Sequence, residues 1–126
     1  MSAKLKVVGY VFLGGALGTM LRYLIFELIA LQQAYPIAEL TSIFLVNMLG
    51  SLFLGITARA PYFQSETCRN LWGLGFAGGF TTMSAVTLFI DYQSLTWEFA
   101  VMLFGGVFMY GVGFRVGRQL AKEQVL

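Results

Sequence analysis

A chain of 126 residues that is 58% hydrophobic and only 11% charged lacks the polar surface of a soluble domain, which usually carries about 25% charged residues. Histidine is absent and Cys68 is the only cysteine, which excludes an intrachain disulfide and a Cys/His metal cluster. The net charge of +2 says little as a total, and no nucleic-acid partner is expected.

Four apolar stretches, near 5–31, 38–59, 69–90 and 97–118, reach the roughly 20 residues that cross a bilayer. The connections QQAYP, APYFQSETC and DYQSLT are short, so residues 1–126 are read as one four-span membrane domain. MSAKLK followed by VVGYVFLGGALG has the basic start and apolar core of a signal peptide. The apolar run continues past Tyr23 with no clean small-residue cleavage site, so it is read as the first span. GYVFLGGALGTMLR faintly resembles a dinucleotide-binding glycine loop. That fingerprint needs a preceding strand, a βαβ unit and an acidic residue about 20 positions on, and an apolar span supplies none of them.

The first span also contains Arg22 and Glu27, both towards the end away from the cytoplasm, where long side chains can snorkel to the interface. Intramembrane charges are functional candidates by default, and Arg22 suits a fixed positive charge near an anion vestibule. The second span carries Asn47 in FLVNMLGS. A mid-span amide can join helices, or it can donate two N–H bonds to a desolvated anion.

In the third span, GFAGGFTTMS at 75–84 places three glycines, two threonines and a serine within ten positions. Irregular backbone at membrane depth is tolerated only where it is buried in protein or lines a cavity. A break at Gly78-Gly79-Phe80-Thr81 predicts two half-helices. Freed carbonyls there suit a cation, and the N–H end of the next half-helix attracts anions. Thr81, Thr82 and Ser84 add hydroxyls. The competing reading is a small-residue packing surface with hydroxyls bonded back to the helix. The fourth span, LFGGVFMYGVGF, has Tyr110 as its only hydroxyl.

Small residues recur at four-residue spacing, as Gly14 and Gly18, Ser51 and Gly55, Gly75 and Gly79, Gly113 and Gly117. Such pairs let helix backbones approach closely, within one chain or between two. Tyr35, Tyr62, Trp72, Tyr92 and Trp97 fall in or beside the loops, at headgroup level. The side bearing both termini and the 60s loop carries Lys4, Lys6, Arg59, Arg69, Arg115, Arg118 and Lys122, and the opposite loops carry no Lys or Arg. A seven-to-none bias predicts a plasma-membrane protein with both termini cytoplasmic.

GGALGTMLRY, VNMLGS and GFAGGFTTMS, in that order across the chain, resemble the Fluc (CrcB) fluoride channels. The resemblance implies an all-α membrane fold of four transmembrane helices, the third broken near 78–81, assembled as an antiparallel dimer. It implies passive export of fluoride with no enzymatic step, and a central structural sodium ion held by the backbone carbonyls of Gly78 and Thr81. Asn47, Thr82, Met83, Ser84 and Val86 would then line the pore, with Arg22 at its vestibule.

The chain departs from the family pattern at Met83 and Val86, where phenylalanines present ring edges to the anion. Methionine offers only a weak acceptor, and valine only methyls. Antiparallel copies of one chain also require a weak Lys/Arg bias. Together these features predict a heterodimer, in which a homologous subunit of reverse orientation supplies the phenylalanines. The competing readings are a small multidrug-type proton-coupled transporter, for which Glu27 is the candidate carboxylate, and a non-conducting structural subunit of a fluoride channel.

Overall fold

The computed structural model describes residues 2–35, 37–86 and 96–125. The stretch at 87–90 that the sequence assigns to the third span, and the following loop with Tyr92, lie outside the described residues. Among the described residues all regular structure is helical. α1 spans Ala3–Ala30, with the Ser2 hydroxyl accepting from the Leu5 N–H at 3.3 Å as its N-cap. α2 spans Ile37–Arg59. After a 3₁₀ turn at Pro61–Phe63, α3 is a continuous helical run of three parts. These are a first turn at Glu66–Cys68 capped by Ser65, a π-helical stretch at Arg69–Ala77, and a last turn at Gly78–Phe80. α4 spans Thr96–Val125.

Three of these helices, α1, α2 and α4, are long and apolar enough to cross a membrane. α4 outruns the apolar stretch at 97–118, because the tail RVGRQLAKEQ is rich in strong helix formers. The turn after α2 is fastened by Gln64, whose Nε2 donates to the carbonyls of Thr57, Ala58 and Ala60 at 3.5, 3.3 and 3.1 Å. Thr57 and Ala58 are among the carbonyls a helix end leaves without partners, and the Ala60 carbonyl also accepts from the Phe63 N–H at 3.1 Å. Arg59, at the same end, lies over the Phe114 ring at 4.9 Å.

The helices pack as two glycine-lined pairs. Gly14 and Gly18 of α1 lie against the main chain of Leu71, Phe76 and Phe80, while Gly75 and Gly79 of α3 lie against Val11, Gly14 and Gly15. Gly55 of α2 meets the backbone at Tyr110 and Phe114, and Gly113 and Gly117 of α4 meet Leu52, Ile56 and Ala60. The small-residue pairs therefore face one another within the chain. A Cβ at Gly18 or Gly113 would run into backbone that cannot swing aside. Without a hydrophobic drive in lipid, this close approach supplies the van der Waals contact that holds such helices together.

Between α2 and α3 the Phe53 ring meets Phe63, Trp72 and Phe76 edge-on, at centroid distances of 5.7, 6.4 and 5.4 Å. Phe76 stacks on Phe80 at 5.7 Å. A second apolar cluster joins Ile43, Val86 and Met102, with Leu40, Ala85 and Phe99 around it. Outward, α1 exposes Phe12, Met20 and Leu28, and α4 exposes Phe104 and Phe108, a surface suited to lipid.

Gly18→Val is expected to lower stability by about 3 kcal/mol or more, through overpacking against backbone. Gly9→Val, where nothing lies within 4 Å of the added Cβ, is expected to stay within about 0.5 kcal/mol. Reversible unfolding in mixed micelles measures both.

Candidate functional site

The end of α3 positions the site. A helix leaves its last four carbonyls without intrahelical partners, and here those are Ala77, Gly78, Gly79 and Phe80. The Ala77 carbonyl takes two bonds from Thr81, one from its N–H at 3.0 Å and one from its hydroxyl at 2.9 Å. Thr81 then turns out of the helix into extended backbone, with φ −82° and ψ 156°. A helical turn begins again at residues 84–86.

Side chains from α1 and α2 replace the lost helical bonds. The Thr82 N–H, which in a continuing helix would bond the Gly78 carbonyl, donates instead to Asn47 Oδ1 at 2.8 Å. Asn47 Nδ2 donates back to the Thr82 carbonyl at 3.1 Å. One amide thus meets both polar groups of one residue, much as a neighbouring strand would. Its orientation follows from its partners, since only the oxygen can accept the Thr82 N–H. From α1, Arg22 Nη1 donates to the Thr81 carbonyl at 3.4 Å and Thr19 Oγ1 to the Gly79 carbonyl at 3.3 Å. The Thr82 hydroxyl accepts from the Ala85 N–H at 3.3 Å, so Thr82 caps the turn that follows, and it lies 3.5 Å from the Ser84 hydroxyl.

This segment forms one wall of a groove of about 770 Å³ between α2, α3 and α4. Asn47, Gly78, Thr81, Thr82 and Met83 line it together, facing Phe99 and Tyr110 of α4. Asn47 keeps one N–H beyond the bond it gives Thr82. Three of the site residues expected from sequence do not line the groove. Ser84 sits exposed in the following turn. Val86 is 2% exposed and packs against Ile43 and Met102. Arg22, half-buried, reaches the segment from α1. Met83 is 54% exposed. Thr19 was not anticipated. Its signal was its place in GTMLR, three residues before Arg22 and so on the same helical face.

Among the described residues no cluster of three carboxylate, cysteine or histidine side chains forms a metal site. The groove offers oxygen donors of another kind. The Gly78 carbonyl has lost its helical donor to Asn47, and the space beside the Gly78 Cα is open. The Thr81 carbonyl takes a single long bond from Arg22 and retains a second lone pair. Backbone carbonyls of this sort suit a hard cation.

Residues 9–117 match the family described as CrcB-like protein, Camphor Resistance (CrcB). The chain is 38% identical over 130 residues to the "Fluoride-specific ion channel FluC 2" of Bacillus subtilis, covering 95% of this chain and 94% of that one. It is 31% identical over 144 residues to the "Fluoride-specific ion channel FluC 2" of Corynebacterium jeikeium, covering 93% and 82%. It is 36% identical over 87 residues to the "Fluoride-specific ion channel FluC" of Aliivibrio salmonicida, covering 65% of this chain and 66% of that one.

Asn47→Ala leaves the Thr82 N–H and carbonyl without their partner. Each unmet group costs about 1–3 kcal/mol, so a loss of about 2–6 kcal/mol is expected, together with faster hydrogen exchange at the Thr82 amide. Unchanged exchange there would show that the pairing does not hold the segment.

Proposed function

Because this chain belongs to the CrcB family, we propose that it forms one subunit of a fluoride-selective membrane channel. The observation that carries the reading is the interruption after Phe80. It puts Asn47, Gly78, Thr81 and Thr82 on one groove wall in a protein with three membrane-capable helices. Fluoride is small and strongly hydrated, so a pathway must replace its water with donors. The remaining Asn47 N–H, the Thr82 hydroxyl and aromatic ring edges are donors of that class. An inside-negative potential drives a monovalent anion outward by about 2.3 kcal/mol per 100 mV, so an open pathway lowers cytoplasmic fluoride without energy coupling.

The extended Thr81–Thr82 segment is read as the break between two halves of one span. A structural sodium ion fits this break, held by the Gly78 and Thr81 carbonyls of each of two chains. It would supply fixed positive charge at the ends of the interrupted helices. Arg22 shares the Thr81 carbonyl and adds charge of the same sign beside the anion's route.

The pore is completed by a second, homologous subunit of opposite orientation. The seven-to-none Lys/Arg bias commits this chain to one orientation, with both termini in the cytoplasm of a cell whose plasma membrane it spans. The numeral in the FluC 2 names supports a second homologous chain in such organisms. Exposed Met83 stands where ring edges are wanted, so the partner's phenylalanines are assigned to that role. A proton-coupled drug transporter finds less support. Glu27 is exposed on α1, and no carboxylate lines the groove among the described residues.

Fluoride efflux from liposomes, followed with a fluoride electrode, is expected only when this chain is reconstituted with a co-encoded homologue. Efflux from the chain alone would remove the heterodimer, and its absence from both preparations would remove the channel. In the conducting complex, Met83→Phe is expected to raise flux, whereas Val86→Phe overpacks the Ile43–Met102 cluster and destabilises the subunit by about 1–3 kcal/mol.

A further inference from the structure

The groove is apolar along most of its length, and among the described residues its lining holds one charged side chain, Arg69. Arg69 opens the π-helical stretch of α3. It shares that end of the groove with Thr57 and Ala58 in the last turn of α2, and the Thr81–Met83 segment lies further along. Its side chain is exposed, and among the described residues it has no ion-pair partner. The nearest acid in sequence, Glu66, is three residues earlier and also exposed. Arg59, on the same side, is engaged over the Phe114 ring.

We propose that Arg69 is the electrostatic mouth of the groove, drawing small monovalent anions from the cytoplasmic side towards Thr82 and Asn47. The proposal rests on the channel reading and adds to it a residue that governs entry. An unpaired guanidinium beside low-dielectric walls focuses its field into the cleft and raises the local anion concentration. An ion-paired arginine would contribute little of this. The attraction is weakened by salt. The Debye length falls from about 30 Å at 0.01 M to about 3 Å at 1 M.

The test compares wild type, Arg69→Gln and Arg69→Lys in the reconstituted complex, measuring fluoride efflux at about 0.01 M and about 1 M impermeant salt. Arg69→Gln is expected to lose flux by about tenfold at low salt and to match wild type at high salt, with Arg69→Lys near wild type throughout. Removing one cation of seven leaves the orientation bias at six to none, so topology is unchanged. A deficit of equal size at both salts, or none at either, would overturn the proposal.

A second readout needs no conduction. Leu74, exposed and lining the groove just beyond Arg69, is changed to Cys in a Cys68→Ser background. Its reaction rates with an anionic and a cationic thiosulfonate are then compared. The anionic-to-cationic rate ratio is expected to drop several-fold on Arg69→Gln at low salt, and an unchanged ratio would refute the field. Absence of flux in wild type would sink the channel reading, and the thiol ratio would still decide the role of Arg69.

Discussion

Every backbone N–H and carbonyl at membrane depth must find a partner inside the protein, because lipid offers none. The site grows from that constraint. Extending the chain at Thr81 and Thr82 forfeits helical bonds, and the structure recovers them with an amide from α2 and with a guanidinium and a hydroxyl from α1. The recovery is incomplete at Gly78, whose helical donor has been diverted. The Gly78 carbonyl, on a residue that lines the groove, is thereby without its helical donor.

The glycine interfaces serve the same end. With α1 on α3 and α2 on α4 in backbone contact, Thr19, Arg22 and Asn47 come within hydrogen-bonding reach of main chain about 35 to 60 positions away. Longer side chains at those crossings would move the helix axes apart and pull these partners off the break. The small-residue pairs are thus spent on contacts inside the chain.

Much of this was legible in the amino-acid sequence. Apolar length alone marks α1, α2 and α4, and the glycine and hydroxyl content of 75–84 marks the irregular segment. The small-residue spacing announced close helix contact but left its partners open, since spacing describes one helix face and says nothing of the face opposite. Asn47 was visible as a costly mid-span amide, yet its pairing with Thr82 was not, because that depends on how α2 and α3 are aligned in depth. Val86 shows the limit most clearly. Side-chain direction follows the helical period only while the helix runs, and the extended residues at 81 and 82 reset the phase. Nothing upstream of the break could tell that Val86 turns towards Ile43 and Met102. Thr19 went unnoticed because a threonine in a span is unremarkable until the carbonyl it serves is known.

The pairing of Asn47 with Thr82 also sets a direction in time. Chains emerge from the ribosome at about 5–20 residues per second. Thr19, Arg22 and Asn47 are therefore made several seconds before the segment whose backbone they satisfy. Made first, the extended residues 81 and 82 would lack the side chains that meet their polar groups, each unmet buried group costing about 1–3 kcal/mol. Delivered third, they arrive at a hydrogen-bonding surface that two earlier helices have already built.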